Sequence, residues 1–156
     1  MFSNPAGRSA ILTAIDAKQC FMIDHRPVDA SSHTEIDSQI AGIFVLNYND
    51  PFDEILWKDF AEDWMDALYL HRLVIQKPFQ GSGLTAKVIE YAEEKVKEAG
   101  RHYLRMDCIA GNARLRRFYG ERCRGREKGG LQEVGTVRNR ELGLEFARFE
   151  IQVVRS

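Results

Sequence analysis

Residues 67–84 read ALYLHRLVIQKPFQGSGL, and this stretch decides the fold class. Its first nine residues are strongly apolar, as in a buried strand, and a glycine-bearing turn follows them. From Leu84 onward, apolar side chains recur every three or four residues until Gly100, which predicts a helix that ends there. A second strand is predicted over residues 103–109. Strand, turn, helix and strand form a βαβ unit, whose crossover makes the two strands parallel.

Shorter elements are predicted on both sides of this unit, giving a mixed α/β protein with a single domain over residues 1–156. A bulge is expected near Ala147, because the apolar alternation changes phase there. The other predicted elements are a helix over 9–17, strands over 20–24 and 40–47, an acidic loop over 50–66 with one helical turn, a short helix after Asn112, and strands over 131–135 and 142–154. Three aromatic residues of the acidic loop are expected to anchor it to the core: Trp57, Phe60 and Trp64.

Length and composition narrow the class of protein. The 156 residues are 44% apolar, and no apolar run reaches the roughly 18 residues of a membrane span. The N-terminus lacks a basic start followed by an apolar stretch, so no secretory signal is predicted. Three distant cysteines and four histidines form no CxxC, HExxH or finger spacing. We therefore expect a cytoplasmic protein without disulfides and without a metal site.

The charges are divided unevenly along the chain. Residues 1–78 carry 6 Lys and Arg against 12 Asp and Glu, while residues 79–156 carry 16 against 11. This asymmetry favours an anionic ligand on the C-terminal half. Solvated surfaces that differ by chance would explain it equally well.

The turn between the apolar strand and the helix is a candidate phosphate site. Backbone N–H groups at a helix start are unpaired and favour anions. A Walker loop is rejected because GSGLTAKV lacks the Gly-Lys-Ser/Thr ending. A dinucleotide fingerprint is matched literally by Gly81, Gly83 and Ala86. It is disfavoured because five residues separate Ile75 from Gly81, whereas in that fold the glycines follow the strand directly.

Two motifs in this region resemble those of the GNAT superfamily of N-acetyltransferases. The run from Gln80 to Thr85 follows the acetyl-coenzyme A motif Gln/Arg-x-x-Gly-x-Gly/Ala, with Thr85 replacing the small last residue. Asn112 is followed seven residues later by Tyr119, as in the second family motif. The resemblance covers roughly residues 18–150.

The resemblance implies a central, mostly antiparallel sheet flanked by helices, with one parallel pair of strands that splay apart around acetyl-coenzyme A. Compared with the family, the N-terminal strand and helix are short or missing, so the chain could be truncated, or its sheet could be completed by a second copy in a homodimer. The resemblance implies that the pyrophosphate lies on the glycine turn, and that the pantetheine arm pairs with strand backbone and with an asparagine amide. The implied cofactor-binding residues are Leu73, Val74, Ile75, Gln80, Gly81, Ser82, Gly83, Leu84, Thr85 and Asn112. The resemblance also implies that a basic cluster could meet the adenosine phosphates, although most of its side chains could instead be solvated or face the acceptor: Arg114, Arg116, Arg117, Arg122, Arg124 and Arg126.

Acetyl transfer to an amine needs a base, a site for the oxyanion and an acid for the departing thiolate. The resemblance makes Tyr119 the acid, although an aromatic on a buried helix face would also occupy that position. Asp107 and His71 are alternative candidates for the base, and both could instead be structural, with water taking the proton. Cys108 is expected to be a buried small residue rather than an acyl carrier.

The resemblance therefore implies direct transfer of an acetyl group from acetyl-coenzyme A to a primary amine. The expected acceptor is a small molecule or a peptide, with no nucleic acid, membrane or metal involved. The acidic segment 50–66 would favour a cationic acceptor, and the basic insertion 120–130 borders the expected acceptor side. The main alternative is a non-catalytic module that senses acyl-coenzyme A. A nucleic-acid binder using the arginines would leave the glycine turn unexplained.

Overall fold

The computed structural model describes residues 5–26, 38–122 and 131–153. Six strands with the hydrogen-bonded order β1-β2-β3-β4-β6-β5 and four α-helices lie in these residues. The elements are α1 (Pro5–Asp16), β1 (Cys20–His25), β2 (Gln39–Asn47), α2 (Pro51–Trp57), β3 (Ala67–Ile75), a 3-10 turn (Lys77–Phe79), α3 (Leu84–Glu98), β4 (Tyr103–Ile109), α4 (Ala113–Arg122), β5 (Gln132–Asn139) and β6 (Leu144–Gln152).

The chain forms two compact units, with divisions before the last residue of β2, inside β3 and inside α3. Unit 1 comprises residues 1–46 and 71–89, and unit 2 comprises residues 47–70 and 90–156. The expectation of one domain over residues 1–156 stays a prediction. Within the described residues, no helix combines the length and the apolar character that crossing a membrane requires.

Unit 1 is built on the antiparallel pair of β1 and β2. Phe21 lies opposite Phe44 in the register, and the two rings stack with centroids 5.0 Å apart. The later part of β3 approaches β2 so closely at Gly42 that a Cβ there would lie 2.2 Å from the carbonyl oxygen of Val74. Only glycine fits this position, because any side chain would push the two backbones apart.

Unit 2 contains the parallel pair and the C-terminal hairpin. β3 and β4 pair in parallel from Ala67 opposite Tyr103, which confirms the predicted βαβ unit. β4 then pairs antiparallel with β6, and β6 pairs antiparallel with β5. A hydrophobic cluster fills one side of these strands: Leu56, Trp57, Ala67, Tyr69 and Phe146. Trp57 is fully buried, so its predicted anchoring role is confirmed, and Trp64 packs against the same cluster.

Two sequence-based predictions about elements were wrong in detail. The acidic loop contains a two-turn helix, α2, rather than a single turn. Asp50 caps it by accepting a hydrogen bond from the backbone N–H of Phe52 at 2.8 Å, and proline at the first helical position suits a helix start.

The predicted bulge near Ala147 is also wrong. β4 and β6 pair without interruption through Ala147, and the irregularity lies in β5 between Glu133 and Thr136, where Gly135 has a φ of +107°. The apolar phase of β6 changes because residues 146–149 are buried on both faces of the strand, and not because the strand bends.

Candidate active site

The glycine turn leads from β3 into α3 within unit 1. Gly81 and Gly83 have φ values of +82° and +80°, a region that other residues enter only with strain. A Cβ at either glycine would meet no atom within 4 Å, so backbone conformation and not crowding requires glycine here. The turn is exposed, and the first N–H groups of a helix such as α3 have no acceptor within the helix. Anion binding at this turn stays a prediction.

Side chains of the turn bind back to the preceding backbone. The Gln80 amide donates to the carbonyl oxygen of Ile75 at 3.1 Å, and the Ser82 hydroxyl donates to the carbonyl oxygen of Phe79. Both bonds join side-chain donors to backbone carbonyl oxygens, and they fix the path from β3 to α3. Thr85 is half-buried in the first turn of α3.

The later part of β3 supplies the predicted pantetheine strand and one candidate base. Leu73, Val74 and Ile75 are half-buried, as is His71. Between them, Arg72 has a φ of +52°, which costs a residue other than glycine on the order of 1 kcal/mol. This strained position was missed at the sequence level, because no side-chain pattern signals a left-handed residue within a strand.

Unit 2 contains the remaining predicted site residues. Asp107 is half-buried on β4. Asn112 caps α4, since its Oδ1 accepts a hydrogen bond from the backbone N–H of Leu115 at 3.1 Å. Tyr119 lies two turns later and is 8% exposed, with its ring 5.3 Å from that of Phe149. The seven-residue spacing therefore puts the asparagine and the tyrosine on one side of α4.

The structure therefore brings the predicted residues together in two groups. Unit 1 holds His71, the strand segment 73–75 and the turn 80–85, while unit 2 holds Asp107, Asn112 and Tyr119. The hairpin connection at 27–37 and the basic stretch at 123–130 lie outside the described residues, as do the side chains of Arg122, Arg124 and Arg126. Arg116 is bound to Glu133 in an ion pair, with Nε at 3.0 Å from Oε1.

Cys108 is buried on β4, as expected. Burial raises the pKa of its thiol to about 11, and the neighbouring charge of Asp107 acts in the same direction. The thiol is therefore neutral at physiological pH, and a neutral thiol is a poor nucleophile. Its environment does not suit an acyl carrier.

Buried charges in unit 2 are the main feature that the sequence analysis missed. Arg105 is 1% exposed although it alternates along β4 with the apolar Leu104 and Met106, and its Nε donates to Glu150 at 2.7 Å. Its guanidinium also stacks on the Trp57 ring, 4.9 Å from the centroid. Complementary charges on β4 and β6 were the available signal, but their pairing depends on a strand order that the sequence does not show.

The family model described as the acetyltransferase (GNAT) family matches residues 12–125. The chain belongs to the GNAT family. A curated relative, the uncharacterized N-acetyltransferase YesJ of Bacillus subtilis (strain 168), is 32% identical over 84 residues. That match covers 53% of this chain and 46% of YesJ, so the chain spans about half the length of this relative.

Solved structures show the same fold. A GNAT-family acetyltransferase from Listeria monocytogenes 4b F2365 matches 96% of this GNAT chain and 77% of its own, with a TM-score of 0.64 and 23% identity. The ribosomal-protein-S18-alanine N-acetyltransferase of Escherichia coli matches 99% of this chain and 82% of its own, with a TM-score of 0.58 and 11% identity. At these identities the likeness supports the mixed α/β fold with its parallel β3–β4 pair, as predicted.

Proposed function

We propose that this GNAT chain transfers an acetyl group from acetyl-coenzyme A to a primary amine. The observation that carries the proposal is the glycine turn, whose Gly81 and Gly83 have positive φ values and lead from the 3-10 turn after β3 into the start of α3. A pyrophosphate is an anion that such a helix start stabilises through hydrogen bonds and the helix dipole. The backbone of residues 73–75 would pair with the amides of the pantetheine arm.

Tyr119 is the proposed general acid. As the amine attacks the thioester carbon, the C–S bond breaks and the sulfur leaves as a thiolate that needs a proton. A phenol, with an ordinary pKa near 10, is protonated at neutral pH and can supply it. The neutral thiol of Cys108 supports direct attack by the amine, without an acetylated enzyme.

Replacing Tyr119 with phenylalanine tests this role. We expect Tyr119→Phe to lower turnover by at least tenfold, since general acid catalysis typically contributes a factor of about 10² to 10⁴, with little change in acetyl-coenzyme A affinity. Thiol release with a panel of amines measures turnover. Tyr91→Phe, on the exposed surface of α3, is the matched control. Unchanged turnover in Tyr119→Phe would remove Tyr119 from the mechanism.

Asp107 and His71 remain the two proposed bases, and the pH dependence of turnover separates them. A base must lose its proton before it can accept one from the amine, so turnover falls on the acidic side of its pKa. If Asp107 is the base, we expect the acidic limb of the pH–rate profile to disappear in Asp107→Asn. If His71 is the base, we expect it to disappear in His71→Ala. If both variants keep it, water carries the proton to solvent and neither residue is the base.

The alternative is a module that binds acyl-coenzyme A without turnover. The burial of Tyr119 against Phe149 favours it, because an aromatic ring can occupy that position for packing alone. Such a module would gain thermal stability with coenzyme A and release no thiol with any amine. An enzyme would show both the stabilisation and the release.

A further inference from the structure

Arg148 is a buried cation. It lies on β6 in unit 2 and is 8% exposed. Its two terminal nitrogens donate to carbonyl oxygens, Nη1 to Leu56 at 3.1 Å and Nη2 to Thr136 at 3.3 Å. Within the described residues, its Nε has no hydrogen-bond partner and its guanidinium has no ion pair. Burial lowers its pKa, which reflects the cost of holding this charge away from water.

Trp57 is a second buried donor beside the same guanidinium. Its ring centroid is 5.7 Å from the Arg148 guanidinium carbon, and its indole N–H has no acceptor in the part of the chain that the structure describes. Arg105 stacks on the same ring, but its charge is balanced because its guanidinium is bound to Glu150. Two neighbouring unsatisfied donors, one of them charged, call for a ligand that only accepts hydrogen bonds and carries negative charge. A carboxylate has both properties.

Two exposed residues lie beside the Arg148 guanidinium. Gly135 lies at the irregularity of β5, and a Cβ built there would be 3.8 Å from Nη2 of Arg148. On another side, the Phe60 ring lies 4.9 Å from the guanidinium carbon and is 42% exposed. The guanidinium, itself 8% exposed, therefore lies next to two residues that reach the solvent.

We infer that Arg148 and Trp57 bind the carboxylate of the acceptor, which is then a small amino carboxylate. Arg148 is the direct partner of Asp107 in the antiparallel β4–β6 register, so both side chains leave the same face of the sheet. A zwitterion suits this pair, with its amine toward Asp107 and its carboxylate toward Arg148. The assignment of the ligand as acceptor rests on the proposed function, whereas the carboxylate site itself does not.

Binding is tested on the whole protein without acetyl-coenzyme A. The chain has two tryptophans, so the two indole N–H signals in an NMR spectrum are assigned with Trp64→Phe. Glycine, β-alanine and glutamate are titrated at constant ionic strength, with glycinamide as the probe that lacks a carboxylate. We expect at least one carboxylate to shift the Trp57 indole signal to a plateau, and glycinamide to leave it in place.

Variants of Arg148 complete the test. Arg148→Met should weaken the carboxylate response at least tenfold without lowering the urea midpoint, because an apolar side chain replaces an unpaired buried charge. Arg138→Met removes the same charge from an exposed position on β5 and should respond as the wild type does. The site is overturned if no carboxylate shifts the Trp57 signal of the wild type, or if glycinamide shifts it equally. It is also overturned if Arg148→Met responds to carboxylates as strongly as the wild type. If carboxylates bind but no amine is acetylated, the site stands and the proposed function fails.

Discussion

Cys108 carries a thiol next to Asp107, one of the two proposed bases, yet its surroundings remove its nucleophilic character. With a pKa of about 11, only about one molecule in 10⁴ carries the thiolate at pH 7. The sequence was sufficient to predict a buried cysteine here, because Cys108 follows the apolar alternation of Leu104 and Met106. The sequence could not show that Arg105 and Arg148 would be buried as well.

Cys108→Ala should therefore leave catalysis nearly unchanged. We expect thiol release within about twofold of the wild type, with a stability loss of about 1 kcal/mol from the removed sulfur. Mass spectrometry after mixing with acetyl-coenzyme A alone should find no acetylated enzyme. Cys20→Ala, at a half-buried position of unit 1, is the control. An acetyl group on Cys108, or a tenfold loss of turnover in a folded variant, would contradict direct transfer.

The start and the buried side of α4 are both determined by interactions between residues close in sequence. Its start follows from Asn112, whose side chain caps the helix, and its buried side follows from the spacing of Leu115, Phe118 and Tyr119. By contrast, the two-turn helix α2 and the irregularity in β5 were misjudged. In both places the backbone conformation depends on packing against the sheet and not on local periodicity.

Asn112 has a capping role in the structure and a proposed cofactor-binding role, and two variants separate them. Asn112→Ser keeps a side-chain oxygen for the N–H of Leu115 but removes the amide, so we expect an unchanged melting temperature and about tenfold weaker coenzyme A binding. Asn112→Ala removes the cap as well and should also lose about 1 kcal/mol of stability. Calorimetry measures binding and thermal unfolding measures stability. Binding of the wild-type strength in Asn112→Ser would show that Asn112 is only a cap.

Across the whole molecule, sequence order and spatial grouping differ. The charge asymmetry divides the chain at about residue 78, whereas each compact unit combines two separate segments, because β3 and α3 each run from one unit into the other. Unit 1 therefore takes its glycine turn from the middle of the chain and its first strands from the beginning. An acidic half and a basic half do not correspond to structural units.

The sequence by itself determined the βαβ unit, the glycine turn and the positions of Asn112 and Tyr119. These depend on interactions within a few residues: helix periodicity, glycine backbone freedom and capping. The tertiary structure alone decided which charges are buried. Arg105 is bound to Glu150, 45 residues away, and Arg148 donates to the backbone of Leu56, 92 residues away. Such contacts depend on strand order and on the segment that covers each face, and a linear pattern of residues contains neither.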